Sequence, residues 1–349
     1  MNPLMITETY ELIRVIENIK KPASFLLERL FPQTETILSD ILPVEYLKGG
    51  RRLAPFVVKG AKPTNIAREK TTINFYRGPL IGARRVISIN DIERRIIGEN
   101  PIYSTLTAEQ RAAQIQGNDL KELQAMLINR RAKMCADLIQ TGKIEVKGFA
   151  DDGRLAEEDT IEFPGFQTIT KNWSLANAKI FDDLEEASET IQENYGSIPT
   201  LLVCGKNILS YMRNNTQFKE FLLSANANAV SWLNFQPQYQ SPQVRFIGYL
   251  PPLNLEVVSY LETFTDDDGT VKPFIDKDSA ILCCPGNGKM LYGTVTYLDQ
   301  SGNWNTASAE CVPVYSFSQD AQATSLSLYS RCLPIPEDIS SFIHIKAKP

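Results

Sequence analysis

The stretch TAEQRAAQIQGNDLKELQAMLINRRAKMCADLIQTG, residues 107–142, decides how the rest of the chain is read. Leu120, Leu123, Leu127, Met134 and Leu138 recur at spacings of three, four or seven, which aligns them on one stripe of a helix, with Glu109, Lys121, Glu122, Asn129 and Lys133 facing elsewhere. Thr107 with Gln110 three residues on is a capping box, and Gly142 stands where a helix closes on a left-handed residue. About 34 residues predict a rod of roughly 50 Å, long for a globular protein. A rod of this kind is a backbone for flanking strands or half of a coiled coil. Gly117 and Arg131 interrupt the stripe and no second such helix follows, which weakens the coiled-coil alternative.

Outward from the helix, the charges are segregated. Between residues 48 and 85 stand ten basic residues, Lys48, Arg51, Arg52, Lys59, Lys62, Arg68, Lys70, Arg77, Arg84 and Arg85, against the single acid Glu69, a balance of +9. Residues 151–193 hold twelve acids against three bases, a balance of −9. The basic stretch is punctuated by Gly49, Gly50, Gly60, Gly78 and Gly82, with Pro55, Pro63 and Pro79 keeping its extended pieces at edges or turns. It reads as a long hairpin, residues 46–90, with too few apolar residues for a core of its own and a need to rest on another surface. Ahead of it, residues 1–45 form an arm: a short helix with Leu12, Val15, Ile16 and Ile19 on one face, then the apolar run holding Phe25, Leu26, Leu30 and Phe31. That arm docks either on its own core or on another copy.

Downstream, Asp182 and Asp183 open a second helix, acids suited to a helix start, and short apolar strands follow from residue 200 to residue 345. Residues 224–243, rich in Asn, Gln and Ala, read as an exposed loop, and the Asp266, Asp267, Asp268, Gly269 run as a hairpin turn. The fold class is therefore α+β, and 349 residues favour about two domains.

Reaction chemistry finds little to build on. His344 is the single histidine, the six cysteines include no C-x-x-C pair and read as buried thiols, and no G-x-S-x-G elbow is present. Gly286 to Lys289 superficially suggests a phosphate loop, but Cys283 and Met290 stand where Gly and a Ser or Thr are required, so it is a turn. The Asp266–Asp268 run lacks the glutamate of a calcium loop. No catalytic, cofactor or metal residue is assigned and no cofactor is expected. With 43% hydrophobic residues and no apolar run of membrane length, a membrane span is not expected. Glu8 and Glu11 at the start argue against a secretory signal, placing the chain in a cytoplasm at birth. A net charge of −5 counts against a dedicated nucleic-acid binder, although the 48–85 stretch with Phe56, Phe75 and Tyr76 as stacking groups keeps that alternative open. Projecting elements and opposed charge blocks without a reaction centre describe an assembly component.

The order of parts resembles the major capsid proteins of tailed bacteriophages with the Hong Kong 97-like fold, and within them the lambda-type capsid protein E family. The residues carrying the resemblance are PASFLLERLFP at 22–32, APFVVKG at 54–60, LIQTGKIEVKG at 138–148, Trp173 with Asp182, Asp183 and Leu184, and LPIPEDISSFIHI at 333–345. The resemblance implies an arm at 1–45, an extended loop at 46–90 lying over a neighbouring subunit, and a peripheral domain with its spine helix at 91–196. It further implies an axial domain at 197–310 and closing strands at 311–349 that return to the peripheral domain. It implies hexamers and pentamers of an icosahedral shell in a virion, packaged DNA met only non-specifically, and scaffold, portal and decoration proteins as possible partners. The ten basic residues, with Phe25, Leu26, Leu30 and Phe31, are then the candidates for subunit contacts. A cellular nanocompartment shell is the alternative that keeps the fold and changes the cargo. Opposed blocks of +9 and −9 set register and speed encounter between copies, unless each is merely a solvated face.

Overall fold

The computed structural model describes residues 8–19, 21–47, 71–94, 107–149, 154–225, 243–299, 301–318 and 322–348. The chain opens with helix α1 (Thr9–Asn18), one wide helical turn at Leu26–Leu30, and strands β1 (Gln33–Thr36), β2 (Ile41–Leu47), β3 (Thr71–Arg77) and β4 (Leu80–Ile87). After the short α2 (Ile89–Glu93) comes the long helix α3 (Ala108–Thr141). Both of its ends follow from local sequence. Gln110 N donates to Thr107 Oγ1 at 3.2 Å, Thr107 N donates back to Gln110 Oε1 at 3.0 Å, and Gly142 closes the helix at φ 69°. A Cβ on Gly142 would lie 2.4 Å from that of Phe166, so both backbone angle and space demand glycine there.

Strands β5 (Lys143–Phe149), β6 (Leu155–Glu162) and β7 (Gln167–Thr170) lead to α4 (Ile180–Asn194), β8 (Leu201–Cys204), α5 (Ile208–Asn214) and α6 (Thr216–Ala225). Then follow β9 (Val244–Leu250), β10 (Leu255–Tyr260), β11 (Thr263–Thr265), β12 (Val271–Pro273), β13 (Ser279–Cys283) and β14 (Gly288–Tyr292). The chain closes with β15 (Thr294–Leu298), β16 (Trp304–Ser308), β17 (Val312–Ser318), β18 (Ala323–Pro336) and β19 (Phe342–Lys346).

Two sheets flank the long helix. The first runs β1-β14-β18-β17, with β4 also paired to β18; α3 packs across it. The second runs β7-β19-β13-β8-β10-β9, and its four inner strands are buried on both faces. Its residues alternate between two cores: Leu201, Val203, Ile281 and Phe342 join Cys135, Leu138 and Ile139 of α3, while Leu202, Cys204, Leu282 and Ile343 join Leu184 and Ile191 of α4. The expected stripe Leu120, Leu123, Leu127, Met134 and Leu138 is buried, but from Arg131 onward α3 also buries Arg131, Ala132, Cys135, Ala136, Ile139 and Gln140, leaving open only the side with Lys133, Asp137 and Thr141.

The structure redraws several expected boundaries. The projecting ribbon is β2·β3, registered from Ile41 opposite Arg77 to Leu47 opposite Thr71, so it begins before residue 46. β4, expected within the loop, is paired over its whole length with β18. Among the closing strands, β17 and β18 join the sheet against α3, whereas β19 lies between β7 and β13 in the second sheet, and β14 crosses the other way. The hairpin with the Asp266 turn is β11·β12, separate from β10. Its three aspartates are engaged rather than merely solvated: Asp266 by Lys272, Asp267 by Arg130 of α3, and Asp268 by Thr270. The loop expected at 224–243 lies largely outside the described residues.

Candidate assembly surfaces

The ten basic candidates divide sharply. Lys48, Arg51, Arg52, Lys59, Lys62, Arg68 and Lys70 lie outside the described residues. Arg77 is exposed on the ribbon, 4.0 Å from Asp40. Arg84 donates to Ser325 Oγ at 3.1 Å across the sheet, and Arg85 pairs with Glu122 and, at 3.7 Å, with Asp119 of α3. Burial lifts the Asp119 carboxyl above its ordinary value, and Arg85 holds it back. Arg84 and Arg85 thus bond to the subunit's own sheet and helix, and both stand on β4, which is paired with β18 rather than free in a loop.

In the arm, Phe25, Leu26, Leu30 and Phe31 are all buried in the chain's own core. Phe31 stacks on Phe342 at 6.2 Å and fills the space a Cβ on Gly288 would take, 2.2 Å from its ring. Phe25 lies 5.9 Å from Tyr260, its N–H donates to Gln243 Oε1 at 2.7 Å, and Gly286 N donates to Arg29 O at 3.0 Å. Helix α1 also rests on its own body, with Leu12 and Ile16 buried against Leu120, Leu123 and Leu127. Of the two docking alternatives the structure shows the internal one for these four side chains.

What remains outward-facing is different. On the ribbon, Pro43 lies opposite Phe75 and Ile41 opposite Arg77, an exposed face on which Phe75 is 70% accessible. Hairpin β15·β16 packs Val295, Tyr297 and Ala307 inward on Val312 and turns Leu298 and Trp304 out as a cross-strand pair. Asp299 accepts from Ser301 N and Asn303 N, both at 2.8 Å, and from Asn305 Nδ2, next to Trp304, which is 76% exposed. Nothing in the local sequence marks Trp304 beyond its alternation with inward residues. The described acids of the block divide between two elements, exposed β6 and α4, where Lys171 engages Asp183 at 3.0 Å and Glu186 at 3.1 Å.

Arg131, read from the sequence as an interruption, is a node. It is 1% exposed; Nη1 donates to Glu310 Oε1 at 2.6 Å and Tyr292 Oη at 3.3 Å, and Nη2 to Glu310 O at 2.6 Å and Ser330 Oγ at 3.0 Å. Lys21 reaches the other oxygen of Glu310. Burial pulls the Glu310 carboxyl upward, but Lys21 and Arg131 outweigh it and leave it below the ordinary value.

Among the described residues no reaction centre is assembled. His344 Nε2 lies 2.8 Å from Ser279 Oγ, but both are buried within the second sheet, beyond reach of a substrate. The six thiols are free and buried, and burial raises those of Cys204 and Cys283 well above the ordinary range. A cavity of about 540 Å³ between the ribbon base and the exit of α3 is lined by Asn74, Tyr76, Gly142, Phe166 and the Lys143–Glu162 ion pair at 2.6 Å. Among the described residues no group of three or more His, Cys, Asp or Glu could hold a metal, and no helix is long and apolar enough to cross a membrane.

A long spine helix between two sheets, with a separate two-stranded ribbon, makes up the Hong Kong 97-like capsid fold. The same fold occurs in the crystal structure described as the capsid protein of an Escherichia coli CFT073 prophage, 19% identical, with a TM-score of 0.65 over 98% of this chain and 99% of that one. A phage-related protein of Bordetella bronchiseptica RB50 matches at 11% identity and a TM-score of 0.52, over 98% of each chain. No curated protein sequence matches the chain. The model of the family described as phage major capsid protein E matches residues 8–347, and the chain belongs to that family. It is a structural shell protein of the virion and not an enzyme, and its copies associate with one another.

Proposed function

We propose that copies of this chain close into an icosahedral head of hexamers and pentamers around double-stranded phage DNA. The observation that carries this reading is the family match along residues 8–347. The ribbon supports it physically: two strands alone are marginal in water, and the exposed face with Pro43 and Phe75 has aromatic surface to bury. In this reading the ribbon lies over a neighbouring subunit. The basic residues between its two strands in sequence, Lys48, Arg51, Arg52, Lys59, Lys62, Arg68 and Lys70, meet acidic surface such as β6 and α4. The second sheet with α4, α5 and α6 forms the axial domain, and Trp304 anchors a further contact. Scaffold, portal and decoration proteins are additional partners, DNA is met without sequence preference, and assembly takes place in the host cytoplasm.

Electron microscopy of the overexpressed protein tests the reading: closed shells tens of nanometres wide are expected, and particles that stay monomeric at every protein concentration would overturn it. Rates of capsomer formation should fall between low and physiological salt as the charge blocks are screened; salt-independent rates would remove the electrostatic part.

A further inference from the structure

The chain ahead of the ribbon is built in two unequal parts. Residues 24–31 are fixed by buried rings, by the Gln243 hydrogen bond and by Arg29 on Glu256 at 3.4 Å. Helix α1 is held far more lightly. Its ten residues are too few to persist alone, Glu8 at its start makes no side-chain capping bond, and its last turn carries no basic residue. It meets the body through one stripe, Leu12 and Ile16 with part-buried Val15 and Ile19, seated on Leu120, Leu123 and Leu127 of α3 and on Tyr315 of β17. Between the two parts, the Lys21 ammonium ties the chain to Glu310, with side chains 47% and 33% exposed.

We propose that α1 is a releasable strap, which lifts off the spine helix together with Lys21 while the Glu310–Arg131 node stays closed. The two oxygens of Glu310 make this division possible. One faces an ammonium that water and dissolved ions can replace; the other faces a guanidinium sealed in the core with no other carboxylate among its hydrogen-bond partners. Lifting the strap uncovers the apolar row Leu120, Leu123 and Leu127. In the free chain that row is hidden, so the strap is an autoinhibitory contact; this second half rests on the shell reading, through association of copies.

Hydrogen exchange on the full-length chain, with wild type, Lys21→Ala and Leu12→Ala at low salt and at about 0.5 M salt, tests the strap itself. Amides of residues 12–18 should exchange about two- to fivefold faster in Lys21→Ala and in wild type at the higher salt, and at least about tenfold faster in Leu12→Ala. Amides of residues 131–139 should keep their protection. Residues 12–18 exchanging together with 131–139 under every condition would overturn the proposal. That readout concerns single chains, so its failure would leave the shell reading intact. Light scattering then tests the hidden row: association of Leu12→Ala should begin faster than that of wild type, and an equal or slower onset would overturn the autoinhibitory role.

Discussion

Replacing Glu310 by glutamine removes a charge while keeping the side chain's shape, so no cavity complicates the outcome. Arg131 is 1% exposed, and of the groups receiving its hydrogen bonds at 2.6–3.3 Å only the Glu310 carboxylate is negatively charged. Breaking a fully buried pair from one side costs about 3–5 kcal/mol, because the remaining charge stays desolvated. Glu310 is one-third open to water, which screens part of that, and a loss of about 2–3 kcal/mol is expected. Unfolding entropy for 349 residues is about 0.7 kcal/mol per kelvin, so Tm should fall by about 3–4 °C. Arg131→Met takes the other side away and leaves Glu310 with Lys21 and solvent, for a loss of about 1 kcal/mol. The double variant should then recover most of what Glu310→Gln loses. Urea unfolding of the dissociated chain, at unchanged denaturant slope, measures all three. If Glu310→Gln lies within about 0.5 kcal/mol of wild type, or the double variant is as unstable as Glu310→Gln, the buried charge is not what the node secures.

Four further outcomes are expected. Burial holds the His344 imidazole below its ordinary 6.5, with Asp276 opposing and Lys346 reinforcing the shift. The unfolded chain therefore takes up the proton first as pH falls. Stability present above pH 6.5 declines through the interval down to the folded value, and urea midpoints between pH 7 and 5 should show this in wild type and lose it in His344→Gln. Gly117→Ala should stabilise by about 0.5–1 kcal/mol in the same assay, since a Cβ there meets nothing within 4 Å in a helix interior. Gly205→Ala should destabilise by at least about 2 kcal/mol or leave little soluble protein, because its Cβ would lie 2.1 Å from the Asp276 carbonyl oxygen. Trp304→Ala should leave single-chain stability within about 0.5 kcal/mol while lowering shell yield seen by electron microscopy.

The features legible in the sequence are those whose cause is local. The ends of α3 are written in Thr107, Gln110 and Gly142, and the β11·β12 turn in its Asp-Asp-Asp-Gly run. What escaped depends on distant partners. Arg131 reads as a break in an apolar stripe until Glu310, 179 residues on, is placed against it. Arg84 and Arg85 read as part of a charge run, and only the pairing of β4 with β18 removes them from the projecting loop. For Phe25, Leu26, Leu30 and Phe31, apolar composition states that burial is required but not whose surface supplies it. Trp304 was missed for the converse reason: one aromatic residue in an alternating strand carries no sign of which face is left open.

The junction of β4 with β18 sets how the subunit bears load. Tension arriving along the ribbon enters the body near Leu80, at one end of an eight-residue ladder that runs to Ile87. That end is pinned, by Asp40 lying 3.7 Å from Arg331 and by Leu42 filling the space beside Gly78. A pull along the ribbon therefore meets the Asp40–Arg331 pair and the Leu42 contact before it reaches the first rung of the ladder.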